Sequence, residues 1–172
     1  NCQVAEFASL NETLEKKTGF HKDMLCSNDV LSCNCAKQQK TGCVGEDIYW
    51  FDSCGNKENI YDADKRKSYN DGYVLKEADS CVASGPNDPS CGNCQFPKGT
   101  VCGKDELKKM PVGDSTCVGL GCKEVYKDPY SPNSGGEKKN GESWCIYGSQ
   151  VGLGKDLVGS RHYKHICING EE

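Results

Sequence analysis

Fourteen cysteines carry most of the chemistry available to this 172-residue chain, and their spacing decides which chemistry that is. A structural zinc site usually presents two ligand pairs at C-x2–4-C spacing. Here Cys91-x2-Cys94 is the single C-x2-C pair, Cys33-x-Cys35 is tighter than a zinc knuckle, and Cys117-x4-Cys122 is loose. The histidines do not complete a ligand set. His162 and His165 stand three apart in a stretch that reads as a strand, which sends them to opposite faces. A thioredoxin-like role for Cys91-Gly92-Asn93-Cys94 would need the motif at the start of a helix. Pro89, Pro97 and the absence of a helical pattern beyond them argue for a structural pair. The expectation is therefore bridges rather than metal, with Cys2, Cys26, Cys33, Cys35, Cys43, Cys54, Cys81, Cys91, Cys94, Cys102, Cys117, Cys122, Cys145 and Cys167 all oxidised.

Other catalytic chemistry is thinly represented. There is no Gly-x-Ser-x-Gly elbow, and Ser160-Arg161-His162 is a strand edge with no flanking signature. Glu46-Asp47 and Glu171-Glu172 are sequence neighbours on turns, with nothing to set them across a cleft. No catalytic residue, resident metal or cofactor is expected, and the chain reads as a non-enzyme. Calcium stays open as a ligand, because the oxygen-rich stretches 62–71 and 128–137 could wrap a hard cation, although neither matches a twelve-residue EF-hand loop.

The elements that would position these groups must form with little apolar material. Hydrophobic residues are 35% of the chain and mean hydropathy is -0.70, so burial alone gives a thin core. Seven bridges would supply the missing stability, at roughly 2–4 kcal/mol each in the loop-entropy account. Disulfides persist outside the cytosol, which points to an extracellular or cell-surface address. The chain opens on Asn1 rather than Met, so a removed signal or a longer precursor is expected. Asn11-Glu12-Thr13 is a legal glycosylation acceptor at Asn11. A net charge of -4 gives no general reason to bind nucleic acid. Lys65-Arg66-Lys67 follows Asp62 and Asp64 and reads as a locally neutralised turn. No run of 18 apolar residues is present, so no membrane span is expected.

The expected fold is small, disulfide-rich and loop-rich, mainly β in short hairpins, with one N-terminal helix. That helix falls in segment 1–30, where Val4, Phe7, Leu10 and Leu14 share one face and Gly19 supplies a stop. Two cysteine-braced stretches follow, 31–88 and 89–125, related by a faint repeat. Cys33 and Cys35 with Cys43 answer Cys91 and Cys94 with Cys102, Thr41 answers Thr100, and Asp52-Ser53-Cys54 answers Asp114-Ser115-Thr116-Cys117. If the repeat is real, matching cysteines make matching bridges. Strands are expected at Asp47–Phe51, at 73–75, at 143–147 and at 162–168, with an irregular loop over 126–142. The last segment, 126–172, reads as a β-hairpin. Asn169-Gly170 is a strong hairpin-turn pair with almost no chain after it, so the end is expected to be held by something outside the sequence.

Three strings carry a resemblance: Tyr49–Asn56 running on to Asn59-Ile60-Tyr61; Cys91–Cys94 with Gly99–Cys102; and Asn140–Cys145 with Val158–His162. They resemble modules of large, secreted, cysteine-rich archaeal surface proteins of no assigned activity. The resemblance implies an extracellular address and a modular parent, and transfers no site residue. The function expected is an extracellular structural or interaction protein, a subunit of a filament, sheath or surface appendage, partnered by itself or by other surface proteins. The alternative is a secreted binding module for glycan or calcium, using aromatics such as Trp50 and Trp144 on an exposed face.

Overall fold

The computed structural model describes residues 21–148, 155 and 157–172. Cys2, Asn11 and the apolar face expected of an N-terminal helix lie outside those residues. What is described is a loop-rich assembly of small antiparallel β-hairpins with only short helices, joined by five disulfides. The chain divides into two compact units, 1–95 with 101–118, and 96–100 with 119–172. Both cysteine-braced stretches contribute to the first unit.

In that unit β1 (Lys40–Val44), β2 (Asp47–Phe51) and β3 (Lys57–Ile60) form an antiparallel sheet in that order. Val44 opposes Asp47 across a two-residue turn, where Gly45 takes a φ of 61°. Alternation in β2 sorts its side chains by face. Ile48 and Trp50 are fully buried, while Tyr49 and Phe51 are half-buried on the other side. Trp50 packs against Tyr61 with ring centroids 5.1 Å apart. Ala83, Cys91, Cys94, Met110 and Cys117 complete this core. A single turn of helix, α1 (Lys65–Tyr69), starts where the Asp64 side chain accepts from Arg66 N, and ends at Asn70, which takes a φ of 50°. Strands β4 (Thr100–Lys104) and β5 (Ser115–Gly119) pair in a separate hairpin.

The second unit holds β6 (Cys122–Val125) paired with β7 (Gly136–Lys138), and β8 (Ser143–Tyr147) paired with β9 (His162–Ile166). Cys122, Val125, Trp144, Ile146 and Cys167 form its core.

Several local expectations need correcting. Residues 73–75 form a single antiparallel bridge, Tyr73 to Met24, rather than a strand, with Val74 N donating to Asp23 O. The Asn59 side chain meets the other groups: Leu75 N donates to Asn59 Oδ1 and Asn59 Nδ2 donates to Tyr73 O. The stretch 126–142, expected to be irregular, contains β7. A turn braced by Asp128, Ser131 and Ser134 carries the chain back to β6. The terminal strand ends at Ile166, and Cys167 beyond it donates from N to Glu142 O, accepts from Gly141 N and is bonded to Cys122. Asn169 and Gly170, at φ 52° and 87°, make a hairpin turn that returns Glu171 to Ile168. The segment expected to be held from outside also makes contacts within its own chain: Gly170 N donates to Leu120 O, and Glu172 accepts from Tyr126 N, while Tyr163, Ile166 and Ile168 stay exposed.

The bridges are Cys35–Cys54, Cys43–Cys102, Cys81–Cys91, Cys94–Cys117 and Cys122–Cys167, and Cys33 is disulfide-bonded as well. Two cysteines expected in bridges are free thiols, Cys26 and Cys145. Cys145 stands opposite Lys164 in the β8–β9 ladder, with no cysteine across from it. Cys26 is buried near the carboxylates of Glu58 and Asp52, and burial followed by those two charges pushes its thiol pKa up.

Candidate functional site

An open cleft of about 310 Å³ lies in the first unit, lined by Lys37, Gln38, Lys65, Arg66 and Tyr69. Two pieces of chain build it: the approach to β1 supplies Lys37 and Gln38, and α1 supplies the rest. Gln38 joins the two. Its amide Nε2 donates to Lys65 O at 3.0 Å and to Ser68 Oγ at 2.9 Å, and its backbone N donates to Glu58 Oε2 at 2.8 Å. Gln38 itself takes a φ of 49°, a left-handed conformation fixed by these three contacts.

Glu58 is the buried anion beneath this floor. It also accepts from Ser27 Oγ. Burial pushes its carboxyl above the usual range, against the hydrogen bonds from Ser27 and Gln38; Asp52 adds to the rise and Lys37 opposes it. Tyr69 closes one wall and donates from its hydroxyl to Ser27 O at 2.9 Å.

The three cations are disposed differently. Lys37 Nζ lies 4.1 Å from the Tyr69 ring centroid, and Lys65 Nζ lies 4.8 Å from that of Trp50 while donating to Gln38 O at 3.4 Å. Arg66 is almost wholly exposed, with Nε 4.0 Å from Asp64 Oδ1. Neither lysine has a carboxylate within ion-pair distance among the described residues. The reading of 65–67 as a locally neutralised turn therefore holds only for Arg66. Lys65 turns inward, over Trp50. More of the cleft wall is apolar than polar, from lysine stems and the Tyr69 ring.

The remaining sequence candidates fall as follows. Cys91 and Cys94 bond to different partners, Cys81 and Cys117, so the C-x2-C pair is structural. Among the described residues, one group has metal-ligand spacing: Cys35, Asp52 and Cys54. Its sulfurs are bonded to each other, and Asp52 accepts from Cys54 N, Asn56 N and Asn56 Nδ2. In the stretch 62–71, Asp62 accepts from Asp64 N and Asp64 from Arg66 N. In 128–137, Asp128 accepts from Tyr130 N, Ser131 Oγ and Tyr147 N. Both sets of carboxylates thus serve turns of their own chain. His162 packs edge-on against Tyr147, whose hydroxyl lies 3.1 Å from Ser160 Oγ, and His165 Nδ1 lies 2.7 Å from Glu172 Oε1. Asp47 accepts from Cys94 N, and Glu46 O from Cys102 N, so this pair of neighbours anchors the cysteine loops. Trp50 and Trp144, expected on an exposed face, are both buried and belong to the two cores.

No family model, curated protein or solved structure matches the chain.

Proposed function

We propose that this chain is an extracellular structural or interaction protein that works by presenting a disulfide-braced surface rather than by turnover. The observation that carries the reading is the bridge set. Five disulfides join elements 10 to 59 residues apart, around cores that contain few large apolar side chains. Such a chain depends on an oxidising compartment for its fold. The fuller version of the reading makes it a subunit of a filament, sheath or appendage, associating with its own kind or with other surface proteins. The exposed thiol of Cys145 favours that version, since an unpaired cysteine in an oxidising medium is available to a second chain. The test is to recover the native protein from its source without reductant. Surface-fraction material, oxidised and either polymeric by electron microscopy or shifted on a non-reducing gel, is expected. Fully reduced protein in a cytosolic fraction would overturn it.

The alternative, a secreted binding module for glycan, is supported by the cleft between Lys37 and α1, which offers charge and carbon in one small volume.

A further inference from the structure

The cleft has features that narrow the ligand. Its volume, about 310 Å³, stands at the small end of ligand sites, which run from about 300 to 1,000 Å³. It admits one small ring or group. Three cations and no carboxylate line it; the carboxylates close by are Asp64 beside Arg66, the buried Glu58 behind Gln38, and Asp29, whose charge acts on Tyr69. Lys37 and Lys65 rest on aromatic faces, an arrangement that an arriving anion can exchange for a charge-assisted hydrogen bond. A bare inorganic anion would use the cation heads and leave the carbon-rich wall idle. A neutral apolar ligand would use the wall and make no use of the cation heads.

We infer that the cleft formed by Lys37, Gln38, Lys65, Arg66 and Tyr69 binds a sugar unit bearing a carboxylate or sulfate group. Lys37 and Arg66, whose heads make no hydrogen bond to the floor, receive the anionic substituent, whereas Lys65 already donates to Gln38 O. The apolar face of the ring lies along Tyr69 and the lysine stems, and the Gln38–Lys65 contact holds the floor in place. The inference rests on the glycan-binding reading, and its failure would leave the disulfide-braced extracellular reading standing, because that is decided by redox state and fractionation.

The experiment is titration of the oxidised, full-length chain with four probes, followed by amide chemical-shift mapping. The probes are a short uronic-acid oligomer, a sulfated oligosaccharide, a neutral oligosaccharide of the same length, and inorganic sulfate. One or both anionic oligosaccharides should saturate with shifts centred on residues 37–38 and 65–69. The neutral oligomer, which loses the charge-assisted hydrogen bonds, and inorganic sulfate, which loses the contacts along Tyr69 and the lysine stems, should each bind about tenfold more weakly or worse. Lys37→Gln and Arg66→Gln should each weaken binding about tenfold while the amide spectrum away from the cleft stays that of the folded parent. Raising the salt concentration should weaken it further. Absence of saturable shifts with both anionic oligosaccharides would overturn the inference. Equal binding of inorganic sulfate would reduce it to a simple anion site. Shifts centred away from the cleft, or variants that fold and bind like the parent, would also sink it.

Discussion

Cys43 and Cys102, which hold the same place in the two cysteine-braced stretches, are bonded to each other across 59 residues. The neighbouring bridges follow the same correspondence. Cys35 pairs with Cys54 and Cys94 with Cys117, the two matched cysteine pairs of the repeat. Two parallel bridges, one in each stretch, are thus joined by a third that links equivalent points. In the loop-entropy account a bridge closing 59 residues stabilises more than one closing 10. Replacing Cys43 and Cys102 together with alanine should therefore cost about 4 kcal/mol, and replacing Cys81 and Cys91 about 3 kcal/mol. Denaturant titration of the two double variants checks the order, and the reverse order would show that native-state packing, not loop closure, sets the contribution.

The two free thiols should be chemically distinct. Cys145 is exposed on β8, whereas Cys26 is buried and its pKa is raised, so little thiolate forms at neutral pH. A brief pulse of alkylating reagent on the folded, unreduced monomer, separated from any cross-linked material, should label Cys145 and spare Cys26. The same pulse in denaturant should label both. Peptide mapping reads the result, and label on Cys54 or Cys117 in denaturant without reductant would contradict the bridge set.

What was legible in the sequence and what was not divides along physical lines. Strand β2 was legible to the residue, because Asp47–Phe51 concentrates β-branched and aromatic residues between turn signals. The bridging chemistry was legible from count and composition, but the two thiols were not, since nothing local marks a cysteine that lacks a partner across the ladder. Residues 73–75 shrank to one bridge, Tyr73 to Met24, because a side chain from β3, Asn59, supplied hydrogen bonds that a longer strand would otherwise need. The cleft was illegible for a related reason. Lys37 and Lys65 meet only because Gln38 spans 27 residues to reach α1, and a single sequence carries no trace of that contact. The two tryptophans were placed on the wrong face because aromatic content does not distinguish a core from a platform when apolar residues are scarce.

Acid stability should show two opposed contributions. Burial pushes the Asp88 carboxyl up, but hydrogen bonds from the backbone and hydroxyls of Ser84 and Ser90 outweigh it and hold its pKa down at about 2. Its stabilisation is present above the unfolded value, near 3.8, and is lost as pH falls from there through 2. Glu58 has the opposite sign. Its folded pKa is raised, so its ionised form costs stability at neutral pH, and that cost is relieved as pH falls toward the unfolded value near 4.5. Melting temperature measured from pH 7 to pH 2 should therefore fall less steeply below pH 4 in Asp88→Asn than in the parent. Glu58→Gln should abolish the gain on mild acidification. Identical pH profiles for parent and variants would refute both assignments.

Gly92 sits where three stretches of chain meet, and its missing side chain is what lets them meet. Ile48 N donates to Gly92 O, Gly92 N donates to Tyr61 O, and Tyr61 N donates to Ile48 O, each at 2.8 Å. These bonds bring the Cys91–Cys94 loop onto β2 beside the most buried part of the first core. A Cβ at position 92 would stand 2.5 Å from Ile48 O, 2.8 Å from Ile48 Cβ and 2.9 Å from Tyr61 Cβ. Backbone oxygen and Cβ atoms cannot rotate away, so the loop or the strand must shift. Overpacking of this kind costs about 1–3 kcal/mol, more where the neighbours are rigid. The bridges from Cys91 to Cys81 and from Cys94 to Cys117 restrict how far the loop can retreat. Gly92→Ala should therefore lie at the upper end of that range in denaturant titration. Gly85→Ala, where a Cβ meets nothing within 4 Å, should change stability by less than about 0.5 kcal/mol. If Gly92→Ala melts like the parent, the loop is not seated on β2 through these contacts.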